Sequence, residues 1–299
     1  MKSPVRKPPA PPARKPPVSA TTKAAAAPSK QFQVETWDTE KEGQRIILYA
    51  DSGMGKTTIC ALLPNPKFVN FNGGSDKILH PVTGKRLQYI PGVETFGDVR
   101  VVCHQPGLFK PGDSFVLDTT TKFEDTGLDW TLENIPHEKG KSISIRRIED
   151  YGWGKGYRHL YDTMRLPLAD FDVLIQRGVN VVLSCQIQQI EINNASGQNY
   201  LCDVPKLQQA HGKNDNVPAV WALYNEWADH TFKIDYNGVQ VGEGKAASTG
   251  ERIIRVHGKP DFKAKSRSIP SKYPVVSFEH EADDSIWRML FDEAWKEIE

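Results

Sequence analysis

Gln44-Arg-Ile-Ile-Leu-Tyr-Ala-Asp-Ser-Gly-Met-Gly-Lys-Thr-Thr58 begins as an apolar run, breaks into a loop with two glycines and closes on Gly55-Lys56-Thr57. A short apolar run ended by glycine reads as a buried strand, and the residues after it as the start of a helix. Strand, glycine-bearing loop and Lys-Thr at a helix start are the layout of a phosphate-binding Walker A loop. Here it covers Ala50, Asp51, Ser52, Gly53, Met54, Gly55, Lys56, Thr57 and Thr58. Chemistry explains the spelling. Gly53 and Gly55 let backbone N–H groups turn inward around phosphate oxygens, Lys56 reaches the β and γ phosphates, and the Thr57 hydroxyl holds Mg²⁺. The helix starting near Thr57 aims its positive end at the same anion. Ala50 stands where glycine is commonest, and its added methyl reads as a tolerated variant. The expected ligands are ATP and Mg²⁺.

The rest of the composition frames this loop. At 299 residues the chain is long enough to bury a sizeable core. Its hydrophobic content of 38% is low, and residues 1–30 account for part of that: they hold eight prolines, seven alanines and seven Lys/Arg, with no acid. Such a segment cannot bury enough apolar surface to offset its ordering entropy, so a disordered basic tail with polyproline character is expected, followed by one domain over 31–299. The tail carries +7 and the remaining 269 residues −6. A +7 arm suits nucleic acid or an acidic protein partner, and equally a solubilising linker. It lacks the apolar stretch of a secretory signal, and no run approaches membrane-spanning length, so a cytoplasmic protein is expected. Cys60, Cys103, Cys185 and Cys202 show no metal-ligand or redox spacing.

Beyond the loop the chain alternates strand and helix patterns. A helix is expected at 56–63, strands at 67–72 and 114–118, and a short helix at 94–104 between them. A long helix fits 157–177, with Leu160, Met164, Leu168, Phe171 and Ile175 on one face, kinked or split at Pro167 and capped by Gly178. Asn180-Val-Val-Leu-Ser-Cys-Gln186 reads as a fourth strand. A polar loop to about 216, a helix at 218–228, antiparallel strands at 231–236 and 252–256, and a terminal helix at 284–297 complete the pattern. That last helix puts Ile286, Leu290, Ala294 and Ile298 beside Trp287, Phe291 and Trp295 on one apolar face, which packs on the core or meets a subunit or partner. The alternation predicts an α/β fold with a mainly parallel central sheet, helices on both faces, C-terminal antiparallel strands and a terminal helix. In such sheets ligands sit beyond the carboxyl ends of the strands, where Ala50, Asn72, Asp118 and Gln186 converge.

Asp118 ends Phe115-Val-Leu117, a hydrophobic run closing on an acid. It fits a Walker B carboxylate that binds Mg²⁺ through its water shell, with the metal between Thr57 and Asp118. The order Walker A, Phe-Val-Asn-Phe-Asn-Gly-Gly-Ser75, Walker B, Tyr-Gly-Trp-Gly-Lys-Gly-Tyr157, Ser-Cys-Gln186 and Asp-Phe-Lys-Ala-Lys-Ser-Arg-Ser-Ile-Pro270 resembles phage-encoded nucleotide-binding proteins of the RecA-like P-loop ATPase superfamily. Some of these act in single-strand annealing or recombination. The resemblance covers about residues 42–270.

What it implies goes further than the spelling. The second strand of that family ends in an Asp-Thr-Glu-Gly-Gly-like string whose glutamate is the general base. Asn70-Phe-Asn72-Gly73-Gly74 stands there, and Asn72 orients water but cannot take its proton. Hydrolysis is then slow, or uses Glu124 or Asp125. Gln186 matches a γ-phosphate sensor that signals to a DNA-binding loop; an ordinary strand-end glutamine is the alternative. Lys263, Lys265 and Arg267 alternate as on a strand, and the resemblance makes Lys265 and Arg267 trans-acting fingers reaching a neighbour's γ-phosphate in a ring or filament. A solvated cationic strand face is the other reading.

A nucleic-acid surface is expected between the Walker B strand and the long helix, with a purely structural glycine–aromatic turn leading into that helix as the other reading. Lys139, Lys141, Arg146, Arg147, Tyr151, Trp153, Lys155 and Tyr157 combine cations for phosphates with rings for unpaired bases. The loop 193–216, with Tyr200, Lys206, His211 and Lys213, stands where the resemblance puts a second DNA loop. The reading is thus a Mg·ATP-dependent, oligomeric RecA-like ATPase acting on single-stranded DNA in phage recombination, replication or repair, in the host cytoplasm. Two rivals stay open: a nucleotide-dependent switch or assembly factor acting on a protein partner without DNA, and a small-molecule kinase.

Overall fold

The computed structural model describes Val34 and residues 42–71, 73–140, 144–211, 216–238, 240–242, 245–247 and 250–292. The tail 1–30, Asn72, Lys141, Lys213, Ala294, Trp295 and Ile298 lie outside the described residues.

The apolar run becomes β1 (Arg45–Ala50), and the Lys-Thr start becomes α1 (Lys56–Cys60). α1 is shorter than expected because Pro64 disfavours helical backbone at Leu63. Ala61–Leu63 instead wind down through i→i+3 bonds such as Leu62 N–H to Ile59 O at 3.1 Å. β2 (Pro66–Asn70), α2 (Phe96–His104) and β3 (Ser114–Asp118) follow. Thr95 and Asp98 cap α2 reciprocally, the Thr95 hydroxyl taking the Asp98 N–H and the Asp98 carboxylate the Thr95 N–H.

α3 (Thr120–Asn134) was not expected; it is mostly polar and buries Thr120, Phe123, Gly127 and Thr131, with Gly127 facing Met164 and Phe96 and the Thr131 hydroxyl bonded to Thr163. α4 (Lys155–Gln176) runs through Pro167 as one helix, so of the expected kink or split the split does not occur. Pro167 is itself buried, and the packing of the ten buried residues of α4 outweighs one lost backbone bond. β4 (Asn180–Ile192) extends six residues past Gln186 and pairs antiparallel with β5 (Tyr200–Pro205). The expected polar loop is therefore mainly a β-hairpin. α5 (Val220–Trp227) leads into β6 (His230–Tyr236), then come the small hairpin β7 (Gln240–Gly242) and β8 (Lys245–Ala247), β9 (Arg252–Arg255), β10 (Val275–Phe278) and α6 (Ser285–Phe291).

The main sheet runs β10-β9-β6-β1-β4-β3-β2, with β6-β1-β4-β3-β2 parallel and β9 and β10 antiparallel. This is the α/β class read from the sequence. β6 plays two parts, antiparallel to β9 as expected and also the fifth parallel strand beside β1. Alternation along each strand explains why the parallel strands read as continuous apolar runs. Ile47, Tyr49, Phe115, Leu117, Val181, Leu183 and Cys185 pack on one face with α2–α5. Ile46, Leu48, Ala50, Val116 and Val182 pack on the other with α1 and α6. No described helix is long and apolar enough to cross a membrane.

Candidate nucleotide site

β4 lies between β1 and β3, and its register decides what meets at their carboxyl ends. Ala50 is level with Gln186, and Asp118 with Ser184. From Ala50 the chain turns through Gly53 (φ 78°) and Gly55 (φ 91°), a left-handed geometry that side chains resist and that points N–H groups into a concavity. A Cβ on Gly55 would meet an Arg252 guanidinium nitrogen at 2.5 Å and the Phe278 ring at 3.1 Å, so the Arg252 side chain would have to shift. Arg252 backs the loop from β9, its guanidinium 3.4 Å from Met54 O and 4.4 Å from the centre of the Phe278 ring.

Lys56 is buried at the base of the loop. Its ammonium donates to Ala50 O at 2.9 Å, Asp51 O at 2.7 Å and Gln186 Oε1 at 3.3 Å. Burial lowers its pKa, against the pull of Asp118. Those three acceptors are neutral, so a phosphate entering the loop presents the ammonium with a full negative charge. Beside it the Thr57 hydroxyl donates to Asp118 Oδ2 at 2.6 Å. The same oxygen accepts from Ser75 at 2.7 Å, and Oδ1 accepts from Ser184 at 3.2 Å. This all-oxygen donor set around one carboxylate, next to an N–H-lined loop, fits a hard cation such as Mg²⁺. Ser52, Gly53, Gly55, Lys56, Thr57, Thr58, Ile78, Asp118, Thr119 and Gln186 line a cleft of about 200 Å³.

Ser75, Ser184 and Arg252 were not singled out in the sequence. Ser184 had a signal, standing two residues before Gln186 and so on the same face of one strand. Ser75 and Arg252 fall inside stretches already read, the string ending at Ser75 and the strand 252–256, but no local pattern points either side chain at the site, since each arrives from a separate segment.

The two carboxylates held in reserve as bases do not line the cleft. Glu124 points away on α3, where Oε1 accepts the Gln208 N–H at 2.8 Å, and burial pushes its pKa up to about 7. Asp125 is exposed and paired with Lys122 at 3.0 Å. Lys263, Lys265 and Arg267 do not lie on a regular strand. Isolated bridges tie this stretch down, among them Asp203 to Phe262 and Thr231 to Lys265, and the Tyr49 hydroxyl donates to Lys263 O at 2.6 Å. Lys265 Nζ reaches Glu226 O at 3.4 Å, and Arg267 pairs with Asp229 at 3.2 Å beside Arg45. Arg267 therefore stands at the amino ends of the strands, about 16 Å along β1 from the loop, counting five steps of extended chain. It cannot reach the glycine loop of its own chain.

The residues chosen for nucleic acid divide. Tyr151 is 4% exposed and donates its hydroxyl to Thr131 O and Ile135 O at 3.0 and 2.6 Å, so it is a packing anchor and cannot stack on a base. Trp153 is 99% exposed, with φ 52°, a backbone geometry that costs on the order of 1 kcal/mol for a bulky residue. Tyr157 stacks on His211 with ring centres 3.8 Å apart, while Lys155 pairs with Glu138. Arg146 and Arg147 are exposed, their backbone N–H groups held by Asp150 at 2.8 and 2.9 Å. Gln208 links this patch to α3, giving its side-chain amide to Tyr157 O at 3.1 Å while its backbone N–H binds Glu124.

A family model described as an AAA domain matches residues 42–268. No curated protein matches the chain. Two solved structures resemble it in fold. One is the KaiC-like protein PH0186 of the hyperthermophilic archaeon Pyrococcus horikoshii OT3, at 11% identity over 79% of this chain and 90% of that one, with a TM-score of 0.36. The other is the flagellar accessory protein FlaH of Methanocaldococcus jannaschii, at 10% identity over 72% and 78%, with a TM-score of 0.34. At those scores neither says what this chain binds.

Proposed function

The chain belongs to the AAA-domain family, and on that premise we propose that it binds Mg·ATP at the carboxyl ends of β1, β3 and β4 and hydrolyses it to act on single-stranded DNA. The observation that carries the nucleotide part is the meeting of Lys56, Thr57, Asp118 and Gln186 in one cleft under a left-handed glycine loop. Thr57 and Asp118 would hold Mg²⁺, which when bound offsets charge on the phosphate oxygens. Lys56 exchanges its carbonyl partners for phosphate oxygens, and Gln186, already bonded to Lys56, follows that exchange. Among the described residues no carboxylate besides Asp118 lines the cleft, so water is oriented by Asn72 or Gln186, and turnover is slow.

In this reading Lys265 and Arg267 serve the phosphates of a second copy, in a ring or filament, which their distance from their own loop supports. Residues 31–299 form one nucleotide-binding domain, and the basic stretch 1–30 is an arm for nucleic acid or an acidic protein partner. The DNA part rests on the exposed Trp153 beside Arg146 and Arg147. The phage setting in recombination, replication or repair rests on the sequence resemblance. A second reading, a nucleotide-dependent switch on a protein partner, is favoured by one observation: residues 187–205 of the β4–β5 hairpin contain no lysine or arginine.

The test is ATP hydrolysis with and without single-stranded DNA at low and moderate salt, with Lys56→Ala as control. Stimulation that fades with salt supports the DNA reading. Nucleotide binding with no DNA effect moves the function to the protein-directed switch. Turnover unchanged in Lys56→Ala refutes the nucleotide site.

A further inference from the structure

Ser75 is 7% exposed, in the single turn Ser75–Lys77 that follows Gly73 and Gly74. A carboxylate oxygen has two lone pairs. On Asp118, Oδ2 takes two hydroxyl donors, Thr57 at 2.6 Å and Ser75 at 2.7 Å, while Oδ1 takes Ser184 alone at 3.2 Å. The pattern leaves one lone pair, on Oδ1, for a metal-bound water. Thr57 and Ser184 sit on elements of the sheet and its first helix. Ser75 sits on the connection leaving β2 and brings that connection to the carboxylate. The same turn places Ile78 in the wall of the cleft, its N–H donating to Ser75 O at 3.2 Å. Upstream, the Gly73 N–H is held by Asn70 Oδ1 at 3.1 Å. Three residues before Ser75 stands Asn72, where the resemblance expects the group that handles water.

We propose that Ser75 is a third residue of the metal site, a positioning residue that orients the Asp118 carboxylate toward the metal and ties the turn after β2 to metal occupancy. The proposal rests on the nucleotide reading given above. With Ser75 in place, the loading of Asp118 by Mg·nucleotide is felt by the 73–79 segment. Without it, the carboxylate turns more freely and the segment loses its tie to the site.

The experiment uses the full chain with ADP and Mn²⁺, reading free Mn²⁺ by electron paramagnetic resonance, together with hydrogen exchange of residues 73–79. Ser75→Ala is expected to weaken Mn²⁺ binding to the protein·ADP complex about tenfold, the scale of one hydrogen bond to a charged group. ADP affinity in chelator stays within about twofold, since no contact to the nucleotide is removed. Mg·ADP protection of 73–79 is lost, while that of the glycine loop remains. Ser75→Thr, which keeps the hydroxyl, restores the metal affinity. Metal affinity unchanged in Ser75→Ala, or equal loss in Ser75→Ala and Ser75→Thr, overturns the role of Ser75 and leaves the nucleotide site standing. Wild-type protein that binds ADP with no dependence on metal overturns both.

Discussion

Replacing Glu124 with glutamine should stabilise the protein at alkaline pH and do little at acid pH. Glu124 is half-buried on α3, and its carboxyl pKa is raised from 4.5 to about 7, by burial first and then by Asp125. The one bond favouring its charged form is the Gln208 N–H at 2.8 Å. Tyr224 and Cys185 also face it, and both have raised pKa values, so neither supplies a countercharge near neutrality. An acid whose folded pKa lies above its unfolded one binds more protons folded than unfolded between the two values. Stability therefore falls as pH rises through that window. For 4.5 against about 7, the loss between pH 5 and pH 8 is about 2.5 kcal/mol. Glutamine keeps an oxygen for the Gln208 N–H and carries no charge. Urea unfolding of wild type and Glu124→Gln at pH 5 and pH 8 measures the difference, with His230 and every other titrating group common to both. A variant-minus-wild-type stability that does not change with pH would refute the reasoning.

At the acid end, burial lowers the His230 pKa from 6.5 to about 4, so stability should drop by about 3 kcal/mol as pH falls from 6.5 to 4; His230→Gln should flatten that limb in the same urea series. Gly55→Ala puts a Cβ 2.5 Å from the Arg252 guanidinium at φ 91°, which should cost about 1–3 kcal/mol and abolish nucleotide binding, read by melting temperature and by titration of a fluorescent nucleotide. Mixing Arg267→Ala with Lys56→Ala protein should restore part of the ATPase activity, because one copy supplies an intact loop and the other an intact finger; no rescue at any ratio removes the trans role. Trp153→Ala should leave the melting temperature within about 1 °C, as expected for an exposed side chain, yet weaken single-stranded DNA binding severalfold; unchanged binding takes the DNA face away from this tip.

Some of this protein is legible in its sequence because the determining forces are local. The glycines at 53 and 55, Lys56 and Thr57 are spaced as a phosphate loop must be, whatever surrounds them. The runs 45–50, 114–118 and 180–186 are apolar on both faces because both faces are covered, and that alone indicates a parallel sheet between helix layers. Where local signals were weak or contradicted, the expectation went astray. α3 has polar residues through most of its length and buries only four, so its periodicity was faint. Pro167 signalled a kink or split, of which packing overrides the split, and Tyr151, read as a ring for stacking, is a buried strut whose hydroxyl meets Thr131 O on α3 and Ile135 O just past its end.

The sequence by itself determined the strand–loop–helix of the phosphate loop, the acid-ended third strand and the α/β class, since each depends on residues within one turn or one strand of each other. Only the tertiary structure decided what stands around them. The order β6-β1-β4-β3-β2 puts Gln186 level with Ala50 and Ser184 level with Asp118. The connection after β2 carries Ser75 to the Asp118 carboxylate, 43 positions away. The path from Phe262 to Arg267 ends at the far side of the sheet from its own loop. Strand order, register and the course of long connections come from burying the whole core at once, a sum over distant contacts that no short stretch of chain encodes.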